Sequence, residues 1–521
     1  MEEKVMRLAK PVRKGLLHLV FSRFLLIFLL LALQIGVLVV FYGWLFHLIP
    51  YAAALQGLFT LLMLIYLFNS GMDASAKLSW LFIIALLPIP GSVLLAFTRT
   101  DLGHRTLRRR VESRIAESCG ALTQPEGVLE ALEADGGGVE DLVCYLNRSG
   151  CFPAYDDSAA DYYPLGDELL QPLLEALESA EESIYLEYFI IEEGYLWGRV
   201  LEILSRKARE GLDVRVLYDG MCEMFQLPPG YWKLLRAQGI QARPFAPIRP
   251  VVSSHYNYRD HRKILVVDGR VAFTGGVNLA DEYINRTHRF GHWKDAAVRV
   301  RGSAAASFQL MFLQLWSAGE AESAPLPPIP SLQPRQEDAS GYVIPFADCP
   351  LDDDRVGETV YMDMLYRAGR YVHIMTPYLI LDGELEAALK YAAQRGVEVK
   401  LILPGVPDKK LAYALAKSHY RSLTEAGVQI FEYTPGFVHA KVFVSDDERA
   451  VVGTINLDYR SLYHHFECGV YLYKSACIRE IERDFQQTLA ACRAVSPESI
   501  RQEKLFYRLM GHILKFIAPL L

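Results

Sequence analysis

Two stretches of this chain share one internal spacing. The first runs His261-Arg-Lys263, four residues, Asp268, six residues, Gly275-Gly276-Val-Asn278; the second runs His439-Ala-Lys441, four residues, Asp446, six residues, Gly453-Thr454-Ile-Asn456. A lone His-x-Lys pair carries no information, but a duplicated pattern of this length requires a duplicated fold. It predicts two related lobes that bring their copies to one place.

The residue types indicate what that place does. Lys263-Ile-Leu-Val-Val-Asp268 and Val438-His-Ala-Lys-Val-Phe-Val-Ser445 are rich in β-branched residues and read as buried strands. In an extended segment His261, Lys263 and Leu265 fall on one face. Gly275-Gly276 and Gly453 allow the backbone to turn back, so that Asn278 and Asn456 approach the same point. Two histidines, two lysines and two asparagines around one small space suit a phosphodiester. Ammonium and amide groups stabilise charge on phosphoryl oxygens. One imidazole can attack phosphorus while the other protonates the leaving alkoxide. The set holds the charge without a metal, and no cofactor is implied. Asp268 and Asp446, at the strand ends, are expected to be active-site scaffold rather than proton carriers.

The surrounding sequence repeats as well. Glu187-Tyr-Phe-Ile-Ile191 and Thr376-Pro-Tyr-Leu-Ile380 each precede a helical stretch, followed by Arg209–Asp219 and Arg395–Leu403. Each half thus reads strand, helix, strand, helix, motif strand, which implies an α/β fold. Ser317–Pro330, extending to about Ser340, is Pro-rich and polar and marks the joint. The expected organisation is a membrane region over 1–115, a connecting segment over 116–165, a first lobe over 166–320, a linker over 321–340, a second lobe over 341–500 and an amphipathic helix over 501–521.

The paired motifs resemble the two HKD motifs of the phospholipase D superfamily. Further blocks are similar to bacterial cardiolipin synthases: Lys77-Leu-Ser-Trp80, Leu87-Pro-Ile-Pro-Gly91, Asn257-Tyr-Arg-Asp-His-Arg-Lys263, Gly291-His-Trp-Lys-Asp295, Thr376-Pro-Tyr378, Leu403-Pro-Gly-Val-Pro-Asp408 and Asn456-Leu-Asp-Tyr-Arg-Ser461 leading to Phe466-Glu467. The resemblance implies two pseudo-twofold-related α/β lobes. It assigns Asp295 and Glu467 the orienting of the catalytic histidines, and His261 the covalent phosphatidyl group, with His439 as acid and then base. It implies phosphatidyl transfer between two phosphatidylglycerol molecules, giving cardiolipin and glycerol. A phospholipase D or another phosphatidyltransferase would share every catalytic residue, a nuclease of the superfamily would not need apolar spans, and intact motifs oppose a non-enzymatic scaffold.

Hydrophobic residues make up 51% of the 521, and they cluster at the N-terminus. Phe24–Phe46 carries no charge and is long enough for a bilayer span. Tyr51–Phe68 and Leu78–Phe97 are further candidates, the last broken by Leu87-Pro-Ile-Pro-Gly91. A multi-pass protein of the bacterial cell membrane is expected. Basic clusters before the first span and after the last both favour the cytoplasm; with three candidates, either one segment does not span, the Pro-containing one by its composition, or one cluster lies outside, and the catalytic region is placed on the cytoplasmic side. The eight cysteines show no CxxC pairing, only Cys144 and Cys151 lie close together, and such scatter suits a reducing compartment better than a disulfide framework. A net charge of −7 argues against a nucleic-acid partner. In the final segment Leu505, Leu509, Ile513, Phe516, Ile517 and Leu520 form a helical stripe, with Lys504, Arg508 and Lys515 off it. That helix suits either a membrane interface or packing on the domain. Expected partners are the bilayer and its phospholipids, with room left for a homo-oligomer.

Overall fold

A computed structural model describes residues 5–9, 52–99, 105–247, 258–319 and 332–520, with isolated positions 32, 36, 40, 327 and 329. The candidate span Phe24–Phe46 lies outside these residues but for three positions, as does most of 320–331, including much of the Pro-rich joint.

Two sheets carry the fold. The first has seven strands: β1 (Ala159–Tyr163), β2 (Ser183–Tyr188), β3 (Asp213–Asp219), β4 (Gln241–Phe245), β6 (Lys263–Val267), β7 (Val271–Gly275) and β9 (Ala297–Arg301). Their spatial order is β1-β9-β7-β6-β2-β3-β4. Two short strands leave this lobe, β5 (Arg259–Asp260) and β8 (His292–Lys294). The second sheet comprises β10 (Tyr342–Asp348), β11 (Tyr371–Met375), β12 (Glu398–Pro404), β13 (Gln429–Tyr433), β15 (Val442–Ser445), β16 (Arg449–Gly453), β17 (His465–Tyr473) and β18 (Cys492–Ala494). Its order is β10-β17-β16-β15-β11-β12-β13-β18, and β14 (Gly436–Val438) stands apart from it.

The lobes correspond strand for strand except for β18, which has no counterpart in the first sheet. In each, a central strand pairs in parallel with the next (β2 with β3, β11 with β12) and antiparallel with the motif strand (β6, β15). These central strands are buried along nearly their whole length, as strands covered on both faces must be. The structure adds one strand per lobe to the strand-helix alternation read from the sequence, since β4 and β13 come between the second helical stretch and the motif. It also moves the lobe boundary. β1, within the segment read as a connector, is the edge strand of the first sheet.

Helix Ala305–Ala318 is buried at every residue and packs between β2, β6 and β7 of the first sheet and β10 of the second. A helix apolar all round belongs in such a core. Arg243 lies over the Trp316 ring, 3.8 Å from its centroid, and donates to the Trp316 carbonyl. Cys119 and Cys151, with Cα atoms 5.2 Å apart, form a disulfide. One bond is thus present where the scattered cysteines suggested no disulfide framework, and six other cysteines are free. The two lie 32 residues apart, and only folding of the helices Val128–Asp135 and Val139–Gly150 between them brings them together.

At the N-terminal side, helix Ala52–Phe68 is followed by Ala74–Leu86 and Pro88–Arg99. Asp73 caps the second helix by accepting from Ser75 N and Ala76 N. The third candidate span is therefore two short helices broken at Leu87, as Pro88 and Pro90 dictate. Among the described residues no helix is long and apolar enough to cross a membrane. The C-terminal helix Leu505–Ile517 packs on helix Lys410–Glu425, where a Cβ at Gly511 would sit 2.6 Å from the Ala414 carbonyl oxygen. Its outer face leaves Leu505, Phe506, Leu509, Ile513 and Phe516 exposed. The two alternatives for this helix thus occupy opposite faces.

Candidate active site

The histidines do not sit inside the motif strands. Each lies just before one, at the end of a short strand that crosses to the other lobe. β5 pairs in parallel with β17 of the second lobe, Asp260 opposite Phe466, and His261 N donates to the Phe466 carbonyl at 3.0 Å. β14 pairs in parallel with β8 of the first lobe, Val438 opposite Lys294, and His439 N donates to the Lys294 carbonyl at 2.7 Å. The element that carries each histidine is stitched to the element that carries the other lobe's carboxylate.

The orienting pairs are crossed accordingly. His261 Nδ1 lies 2.8 and 3.0 Å from the two Glu467 oxygens, and His439 Nδ1 lies 2.7 Å from Asp295 Oδ2. Both carboxylates are fully buried and both histidines nearly so. A carboxylate at Nδ1 makes that nitrogen the donor and leaves the Nε2 lone pair for chemistry. What surrounds the two carboxylates differs between the halves. Thr454 donates to Glu467 Oε2 at 2.5 Å. The equivalent position in the first half is Gly276, where a Cβ would collide with Asp295 Oδ1. The Gly-Gly against Gly-Thr difference between the motifs is therefore a packing requirement of the two carboxylates.

Lys263 Nζ donates to the His261 carbonyl at 2.5 Å, and Lys441 Nζ lies 2.8 Å from His439 Nδ1. Lys441 Nζ donates to the His439 carbonyl, as Lys263 does to that of His261, and with Nδ1 committed to Asp295 its contact with the ring is not a second hydrogen bond. Burial pushes Lys263 down to about 8 and Lys441 down to about 7. Burial and the neighbouring lysines push His439 down to about 4 and hold His261 well below its usual value. Burial raises the Asp295 carboxyl, but His439 and Lys441 outweigh it and hold it below the ordinary range. The site is two neutral imidazoles, two reluctant ammonium groups and two carboxylates, closed from water.

The asparagines are unequal. Asn278 Oδ1 accepts from Ile190 N at 3.0 Å, and its Nδ2 donates to Tyr283 Oη at 2.8 Å. Asn456 Oδ1 is buried and has no hydrogen-bond partner among the described residues. Asp268 and Asp446 are not at the site. Asp268 accepts from the backbone N–H groups of Glu181, Glu182 and Ser183, and Asp446 from those of Gly369, Arg370 and Tyr371. Each adopts a positive φ, 52° and 58°, at the turn after the motif strand. A full strand separates each from its histidine, roughly 15 Å at about 3.3 Å per residue. They fix the start of β2 and β11, so the expectation of an active-site scaffold is corrected to a scaffold at the opposite end of the strand.

Some neighbours of the histidines were not singled out from the sequence. The His465 ring lies 5.3 Å from that of His261 and Phe189 lies 4.8 Å from it. Tyr283 and Trp293 each stand 5.4 Å from His439. The flanking blocks do converge. Tyr378 of the Thr-Pro-Tyr block donates to Asp408 of the Pro-Gly-Val-Pro-Asp block at 2.7 Å, and Lys409 sits over the Tyr378 ring, 5.0 Å from its centroid. Arg259, from the block around His261, is buried and donates to Asp219 at the end of β3, at 2.8 Å from Nη2.

Known proteins match this arrangement. The family model described as "Cardiolipin synthase, PLD-like domain" matches residues 173–316 and 361–489, one segment per lobe. An uncharacterized protein of Streptococcus mutans is 49% identical over 88% of this chain and 99% of its own length. Cardiolipin synthases of Halalkalibacterium halodurans and Geobacillus kaustophilus are 32% and 36% identical over 88% and 68% of this chain, and over 91% and 71% of their own lengths. A crystal structure of phosphatidylserine synthase from Haemophilus influenzae covers 69% of this chain and 93% of its own with a TM-score of 0.55, at 15% identity, and so shares the fold. Taken with two crossed histidine–carboxylate pairs at the junction of two matching lobes, these similarities show that the chain belongs to the cardiolipin synthase family of phospholipase D-like proteins.

Proposed function

We propose that the protein is a phosphatidyltransferase that makes cardiolipin and glycerol from two molecules of phosphatidylglycerol. The observation that carries this is the crossed pairing, His261 with Glu467 and His439 with Asp295, which prepares two Nε2 atoms for one phosphorus. His261, neutral and oriented, attacks the phosphodiester. His439 gives its proton to the departing glycerol oxygen, and a phosphatidyl-histidine remains. His439 then takes a proton from the hydroxyl of the second phosphatidylglycerol, which attacks phosphorus and frees His261. Lys263 and Lys441 neutralise the phosphoryl oxygens, and the amides of Asn456 and Asn278 complete the phosphate-binding set. A bound phosphodiester also offsets the ammonium charges that depress His439, so substrate binding favours the protonated acid the first step needs.

Transfer rather than hydrolysis requires that a lipid alcohol outcompete water. The burial of the site supports that, and so does an apolar surface. Leu55, Leu58, Leu62, Leu78, Phe82 and Leu86 are exposed on the N-terminal helices. The C-terminal helix joins them, with Phe82 against Phe516 at 4.9 Å and Ser79 Oγ donating to the Phe516 carbonyl. This surface suits a bilayer, and we place the protein in the bacterial cell membrane. The Cys119–Cys151 disulfide favours exposure of that segment to an oxidising side rather than to the cytoplasm. Purified protein incubated with phosphatidylglycerol, with products identified by mass, tests the assignment. Cardiolipin and glycerol support it; phosphatidic acid as the sole product would replace it with a hydrolase.

A further inference from the structure

The feature that the reaction leaves unused is His465. It lies on β17 two residues before Glu467, is buried, and its Nδ1 has no hydrogen-bond partner among the described residues. Glu467 Oε1 lies 2.8 Å from His261 Nδ1 and 3.7 Å from His465 Nδ1. One ligand atom from each of His261, His465 and Glu467 lies within 4.8 Å of the other two. A tetrahedral zinc ion with bonds of about 2.0–2.1 Å sets its ligands about 3.3 Å apart, between the two separations to Glu467. Thr454 occupies Oε2, so Oε1 is the oxygen that both rings share. Phe189 walls the space, 4.8 Å from the His261 ring and 6.4 Å from the His465 ring.

We propose that His261, His465 and Glu467 form an inhibitory site for zinc or a similar borderline divalent cation. Two imidazoles and one carboxylate make a three-ligand set with an open fourth position. The cation takes His261 Nδ1, where the neutral ring's one proton now bridges to Glu467, and that proton moves by exchange with solvent to Nε2. The ring stays neutral, as the other tautomer. The lone pair that would attack phosphorus is gone, so one ion per chain switches off the nucleophile without touching the lysines. The same reasoning gives no site in the other half, where His439 and Asp295 have Trp293 and Tyr283 as neighbours instead of a third imidazole.

The inhibition rests on the proposed role of His261; the binding does not, and two measurements separate them. In the first, Co2+ is titrated into the full chain in detergent and followed by its visible absorption. One equivalent with a four-coordinate spectrum is expected, lost in His465→Gln. An unchanged spectrum in the variant, or no binding by the parent protein, overturns the site. In the second, Zn2+ is titrated into the phosphatidyl-transfer assay. Chelator-reversible inhibition is expected, with the inhibitory concentration raised about tenfold or more in His465→Gln, since losing a ligand costs at least as much as losing an outer partner. Equal inhibition of both proteins overturns the proposal. Cobalt binding by a protein that transfers no phosphatidyl group would sink the functional reading and leave the site standing. If circular dichroism shows the variant unfolded, zinc X-ray absorption on the parent protein decides: two imidazole nitrogens with a carboxylate support the site, and any other ligand set refutes it.

Discussion

Replacing Lys441 by Met should stabilise the protein while removing its activity. Lys441 is 1% exposed and its ammonium has been pushed from 10.5 down to about 7. Burial is the main cause, with Lys263 adding to it against the attraction of Asp295 and Glu467. The sign follows directly. A base depressed in the folded state binds its proton more weakly there than in the unfolded chain. The penalty is complete below about pH 7, shrinks as pH rises, and is gone above 10.5. At pH 7 it amounts to about 4 kcal/mol. Methionine keeps an unbranched stem in the same space and carries no charge. Asp295 loses one cationic neighbour but keeps His439, which returns part of the gain, so a net stabilisation of about 2 kcal/mol is expected. That corresponds to a rise in Tm of about 4–8 °C for a lobe of this size. Thermal melts of both proteins from pH 6.5 to 9 are the assay. The parent protein should gain stability with rising pH and the variant should gain less. A lower Tm for Lys441→Met at pH 7, or parallel pH slopes, would refute the account of Lys441 as a charge held in place for phosphate at the expense of stability.

Further expectations concern the chemistry. His261→Ala and His439→Ala should each lower product formation by at least about 10³-fold with the fold intact by circular dichroism; full turnover by either would end the two-histidine mechanism. On a phosphodiester with a good leaving group, which needs no acid, Asp295→Asn should still form the phospho-adduct while Glu467→Gln should not. The reverse pattern after acid quench and peptide mapping would exchange the roles of the histidines. Activity should survive strong chelation, and loss of activity restored by one specific divalent ion would overturn the metal-free reading. Asp268→Asn and Asp446→Asn should cost about 1–2 kcal/mol each by weakening three backbone hydrogen bonds, with kcat of the folded protein little changed; a large loss of kcat at full stability would return them to the active site.

Much of this was legible in the residues themselves. The repeat, the α/β lobes and the six histidine, lysine and asparagine positions follow from spacing, because strand alternation and glycine turns are local properties. What the sequence could not reveal was set by contacts across the lobes. Glu467 and Asp295 stand out as carboxylates, yet each lies downstream of the wrong histidine, and only the docking of β5 on β17 and β14 on β8 shows the exchange. Strands of two and three residues have no periodicity to read. β4 contains Pro244 at its sheet edge, and β13, between β12 and β18, alternates weakly, so neither announced itself. Asp268 read as active-site scaffold because it belongs to the repeat. Its positive φ and its three backbone donors show that the repeat records the whole motif strand, one end for chemistry and one for folding.

The exchange of short strands has a consequence for each lobe by itself. A polypeptide ending after the first lobe would carry a histidine whose ring nothing holds and a carboxylate with nothing to hold, and the same is true of the second. No single unit of this design can be an enzyme alone. A free-standing unit of this design could work only as a symmetric pair, each copy lending its acid to the other. Halves produced as separate polypeptides should therefore be inert apart and recover turnover only on mixing.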